Sequence, residues 1–137
     1  MASKAHQFIA NMISIKMRQL GYEVVAFDGK QIYLSDIKIS TPPCIKRHKP
    51  DLLGYCSKRK RVCIGEAKTK KDLDSRRTSE QFEDYASIIT KKDKSAYFVI
   101  GIPLSGLDKV NGILQGMGLK SHKNIEIVKI PDRLLPE

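Results

Sequence analysis

Two carboxylates and a lysine stand where chemistry could be done. Asp51 opens the run DLLGYC (51–56), and Glu66 and Lys68 close the run RVCIGEAK (61–68). Both runs have the composition of strands, and successive side chains on a strand point to opposite faces. Glu66 and Lys68 are two apart and share a face. Asp51, at the start of a neighbouring strand, can reach that face too. Two carboxylates held together resist joint ionisation unless a cation sits between them. A hard divalent cation, Mg²⁺ or Mn²⁺, takes oxygen ligands from one or two carboxylates and fills the rest with water and phosphate. Such a site hydrolyses phosphodiesters, with the lysine orienting water or stabilising developing charge. The bland alternative makes Asp51 a turn cap and Glu66–Lys68 a surface ion pair.

A second pair lies downstream. Gln81 and Tyr85 in QFEDY are four apart and share one side of a predicted helix.

The charge around these residues is lopsided. The net charge is +10, of which residues 44–77 hold +8, residues 1–43 hold +2 and residues 78–137 hold none. A localised basic patch points to a polyanionic partner. Lys46, Arg47 and Lys49 lead into Asp51. Lys70, Lys71, Arg76 and Arg77 lie between Lys68 and the Gln81 helix. Both groups are expected to hold phosphates on either side of the scissile one. Lys58, Arg59, Lys60 and Arg61 fall at the far end of the hairpin, where contact with distant backbone and simple solvation weigh equally.

Pro50-Asp51, fourteen residues, then Glu66-Ala67-Lys68 resembles the signature of the PD-(D/E)xK nuclease superfamily. Gln81 to Tyr85 resembles the QxxxY motif of its RecB-type members. The resemblance implies a restriction-endonuclease-like core and metal ligation by Asp51, Glu66 and the Ala67 carbonyl. It also implies a catalytic role for Lys68, with Gln81 and Tyr85 bordering the active site. The activity implied is metal-dependent cleavage of nucleic acid, DNA ahead of RNA. The family's small Holliday-junction resolvases suggest structure-selective cutting by a homodimer. One departure is that many members carry a glutamate on the first helix, whereas residues 3–20 contain no acid and offer His6, Gln7 or Asn11. A histidine there is similar to that of cap-snatching viral endonucleases, although a lone helical histidine is more often a surface residue. Asp36 is a further candidate carboxylate. The departure also supports an alternative: a catalytically inactive nuclease-fold module that binds nucleic acid.

The elements that must position these residues are legible in outline. Residues 3–20 carry apolar side chains at helical spacing, with Ser3 as N-cap and Gly21 as stop. YEVVAF (22–27) and QIYLSDIKI (31–39) read as a hairpin turned at Asp28-Gly29, with a bulge at Ser35-Asp36. The second hairpin, 51–56 with 61–68, turns at 57–60. A helix is expected over 78–90, capped by Thr78 with Gln81 three residues on. AYFVIGI (96–102) reads as a central strand, 105–117 as a helix and IEIVKI (125–130) as a last strand. The sum is one mixed α/β domain over residues 1–137, a mixed sheet flanked by helices. Cys44, Cys56 and Cys63 are odd in number and lack a CxxC pair, which argues against a disulfide framework or a zinc ribbon; Cys56 and Cys63 could face each other across the hairpin, although buried small hydrophobes are the commoner case. No transmembrane run and no signal-peptide pattern are present, so no membrane partner is expected. The expected location is cytoplasmic or otherwise intracellular, including nucleoid or nucleus.

Overall fold

A computed structural model of the chain describes residues 3–28, 42–92 and 94–136. The expected hairpin partner 31–39, its bulge and Asp36 lie outside the described residues.

Among the described residues, five strands form one sheet in the order β1-β2-β3-β4-β5. These are β1 (Glu23–Phe27), β2 (Leu52–Cys56), β3 (Arg61–Ala67), β4 (Tyr97–Pro103) and β5 (Ile125–Ile130). β1, β2 and β3 pair antiparallel, while β3, β4 and β5 pair parallel. The sheet is therefore mixed, as the element order implied. β1 pairs with β2, with Glu23 opposite Tyr55 and Phe27 opposite Leu52. The register slips between Val24 and Ala26, a bulge with no counterpart in the alternation of YEVVAF.

Helices cover both faces. α1 (Lys4–Gln19) begins at the Ser3 hydroxyl, which accepts from the His6 amide. It ends at Gly21, whose φ of 93° is open to glycine and strained for other residues. α1 seats Ile9, Ile13 and Met17 against Leu52, Cys63, Ala67 and Val99. Gly65 and Gly101 allow the close approach: a Cβ on Gly101 would stand 2.7 Å from Ile9 and Ile13, far inside contact distance.

The opposite face packs under α2 (Arg76–Ser87) and α3 (Leu107–Gly116). Ile64, Phe98, Ile100 and Ile102 meet Phe82, Tyr85, Val110 and Leu114 there. Phe98 takes the edges of both Phe82 and Tyr85, with ring centroids 5.8 Å apart in each pair. α2 starts two residues before the expected position. Its cap is Ser75, whose hydroxyl accepts from the Arg77 amide. Thr78 instead donates its hydroxyl to the Asp72 carbonyl, so it forms no capping box with Gln81. A single wide π turn, Ile88–Lys92, follows α2.

Cys56 and Cys63 are buried free thiols. The hairpin register sets Cys56 opposite Arg61 and Cys63 opposite Gly54, so the two cysteines are not cross-strand partners. Among the described residues, no helix is long and apolar enough to cross a membrane.

Candidate active site

The hairpin register brings the carboxylates together. Leu52 pairs with Gly65, which leaves Asp51 beside Glu66 at the carboxyl end of β3. The Asp51 amide donates to Glu66 Oε1 at 3.1 Å, and the Ala67 amide donates to Asp51 Oδ2 at 2.8 Å. Each acid thus accepts from the backbone at the other's end of the pair. β4 extends the ladder one step, since the Lys68 amide donates to the Gly101 carbonyl at 3.0 Å. That bond fixes the strand direction through Lys68 and keeps it on the same face as Glu66, toward α2.

Lys68 closes the group. Its Nζ is 3.2 Å from Glu66 Oε2 and also donates to Gln81 Oε1 on α2. Glu66, Lys68 and Gln81 are only 2%, 7% and 6% exposed, which rules out the surface ion pair. From the other face of the sheet, α1 contributes His6, whose Nε2 lies 3.2 Å from Asp51 Oδ2. A half-open cleft of about 510 Å³ spans this group. His6, Asp51, Glu66, Lys68 and Gln81 all line it.

Tyr85 is placed differently from Gln81. It is fully buried against Phe98 and does not line the cleft, and its hydroxyl has no hydrogen-bond partner. Burial first, then the charges of Glu66 and Asp51, push its phenol well above the usual value. Tyr85 is a wall behind the site.

The electrostatics are tense at one acid. Loss of solvent pushes the Glu66 carboxyl well above the ordinary range, and the neighbouring Asp51 charge adds to this. Lys68 offsets only part of it. The hydrogen bond to Asp51 raises the His6 imidazole against the opposing effect of burial.

The basic residues are placed in different ways. Lys49, Lys71 and Arg77 line the cleft, with Lys49 Nζ 3.9 Å from Asp28 Oδ2. Lys70 and Arg76 are exposed and lie outside its lining. Lys46 lines a separate depression of about 370 Å³ with Glu83, Ser87 and Met117. Arg47 is taken up by α2: its Nη2 donates to Asp84 Oδ1 at 2.8 Å and its Nε to the same oxygen at 3.2 Å. At the hairpin tip, Arg59 donates to the Leu20 carbonyl and stacks over Tyr22, and Lys58, Arg59, Lys60 and Arg61 are all exposed.

Several cleft residues gave no signal of their own in the sequence. Asp28 read as a turn former, yet its amide donates to the Asp51 carbonyl and its side chain lines the cleft. Asp72 and Ser75 lay in a polar stretch without periodicity and Thr78 read only as a helix cap, yet all three line the cleft. His6 was one candidate among three on α1. Only its contact with Asp51 singles it out.

Among the described residues, no group of three His, Cys, Asp or Glu side chains converges as metal ligands usually do. Asp51 and Glu66 line the cleft, whereas Ala67 is fully buried and outside its lining; the two carboxylates suit a hard cation that keeps water and phosphate in its shell. Glu66 also fits such an ion, being a buried carboxylate pressed against a second one and only partly balanced by Lys68. Comparison with protein-family models, with curated proteins and with solved structures returned no match.

Proposed function

We propose that the protein is a metal-dependent nuclease built on a restriction-endonuclease-like core of the PD-(D/E)xK type, hydrolysing phosphodiester bonds in DNA in preference to RNA. The observation that carries this reading is the meeting of Asp51, Glu66, Lys68 and Gln81 in one cleft, joined by direct contacts.

Asp51 and Glu66 would hold Mg²⁺ or Mn²⁺. When bound, the cation lowers the pKa of water and neutralises charge on the scissile phosphate. Lys68 sits beside Glu66 and is oriented by Gln81, so its ammonium can hold the attacking water or meet the developing charge. His6 holds the Asp51 carboxylate from the α1 side. Lys49, Lys71 and Arg77 supply positive charge along the cleft and grip phosphates of the backbone. Among the described residues, the cleft lining contains no Phe, Tyr or Trp, and its polar and charged side chains suit contacts to the nucleic-acid backbone.

A second reading keeps the nucleic-acid binding and drops the chemistry. It is favoured by the protein donors that already occupy both Glu66 oxygens, and by the absence of an acid on α1. Incubation with labelled single-stranded, duplex and branched DNA and with RNA, with and without Mg²⁺ or Mn²⁺, separates the two. Cation-dependent cleavage supports the nuclease. Binding without cleavage supports the inactive module.

A further inference from the structure

Asp84 is 1% exposed, lies outside the cleft and belongs to no part of the chemistry above. It nevertheless gathers more donors than any other acid described. The Arg47 amide donates to its Oδ2 at 3.1 Å, the Arg47 guanidinium to its Oδ1, and His48 Nδ1 lies 2.9 Å from Oδ2. Facing a carboxylate, that nitrogen is the one that carries the proton.

These donors come from a tight turn. Ile45 and His48 exchange both backbone hydrogen bonds, and Lys46 sits at φ 53°, a conformation costly for a lysine. The turn ends three residues before Asp51, with buried Pro50 stiffening the link. The same helix, one turn earlier, carries Gln81, which receives Lys68. α2 therefore grips both strands of the site: β3 through Gln81, and the entry to β2 through Asp84.

We propose that Asp84 is a positioning residue: by clamping the Ile45–His48 turn to α2, it sets where the Asp51 carboxylate stands relative to Lys68. Its catalytic consequence rests on the nuclease reading, whereas its geometric consequence does not. Displacement of a catalytic group by about 1 Å can cost roughly 100-fold in rate.

The test uses Asp84→Asn and Arg47→Ala. The second variant alters an exposed side chain and keeps the fold if the first fails to. Two readouts are taken. In ¹⁵N–¹H spectra, the Ala67 amide reports directly on its bond to Asp51. The account expects its resonance to move in both variants, together with those of Asp51 and His6, while amides of β4 and β5 stay in place. In cleavage assays, kcat should fall roughly 10- to 100-fold for Asp84→Asn, with KM changed less than about threefold. A merely structural role would instead spread shifts through the core and leave kcat intact in the folded fraction. An unmoved Ala67 resonance in a folded variant overturns the proposal. If the wild type cleaves nothing, the nuclease reading fails and the Ala67 resonance still decides for or against the clamp.

Discussion

Glu66 and Asp84 are both buried carboxylates beside cations, and their acidities are shifted in opposite directions. At Asp84, burial pushes the carboxyl up, but hydrogen bonds from Arg47 and His48 outweigh it and hold the group at about 2. At Glu66, burial and the nearby Asp51 push the carboxyl well above its ordinary range, and Lys68 does not restore it. Asp84 sits on α2 and accepts from Arg47 and His48, while Glu66 sits on β3 and accepts from the Asp51 amide, so their partners share one short stretch of chain. The difference is company. Asp84 meets only donors, whereas Glu66 faces another acid across a hairpin. A buried acid with its donors complete closes a fold, and a buried acid set against its own kind is the one that the proposed cation would relieve.

The largest expected effect breaks the second half of that contrast. Asp51→Ala, Glu66→Gln and Lys68→Ala should each lower cation-dependent cleavage by about a thousandfold or more, several kcal/mol of transition-state stabilisation. Nucleic-acid binding should survive. Thermal unfolding of Glu66→Gln should occur at or above the wild-type temperature, because a neutral amide removes a buried charge. Wild-type rates in Glu66→Gln would remove the metal site from the account.

Asp84→Asn should do the reverse to stability. The change weakens charge-assisted hydrogen bonds to a buried carboxylate, a loss of about 1.5–3 kcal/mol that calorimetry or denaturant unfolding resolves. The same residue predicts an acid limit. Its folded value of about 2 lies below the ordinary 3.8, so its contribution is fully present above pH 3.8 and is lost as pH falls toward 2. In Asp84→Asn, the stability lost between pH 5 and pH 2 should be smaller than in the wild type.

The smallest effect separates the basic residues. Changing Lys71 and Arg77 together to Ala should flatten the slope of log affinity against log salt on duplex DNA by up to about 2 units. Arg47→Ala should leave that slope unchanged, since its guanidinium is committed to Asp84 and not to solvent phosphate. Titrations between about 50 and 200 mM salt read both. Equal slopes for the wild type and the Lys71/Arg77 variant would mean that the nucleic acid lies elsewhere.

The second hairpin, the central strand Tyr97–Pro103 and all three helices were legible because their apolar periodicity runs unbroken through single elements. The same periodicity set Glu66 and Lys68 on one face. The cap of α2 was misread because Thr78 and Ser75 are equally good cap residues by type, and only the Asp72 carbonyl decides between them. Arg47 looked like any other cation of its cluster. Its commitment to Asp84 is a contact across 37 positions that no local pattern encodes. His6 needed the packing of α1 against Gly65 and Gly101 before it could reach Asp51.

The central claim, that the Asp51–Glu66–Lys68 cleft cuts phosphodiesters with a divalent cation, is tested most directly by one assay. Labelled single-stranded, duplex and branched DNA and RNA are incubated with the wild type and with Glu66→Gln, in Mg²⁺, in Mn²⁺ and in chelator. The account predicts cleavage of at least one DNA form by the wild type with cation, none in chelator and none by Glu66→Gln. It is contradicted if folded wild-type protein cleaves no substrate with either cation, or if Glu66→Gln cuts at the wild-type rate.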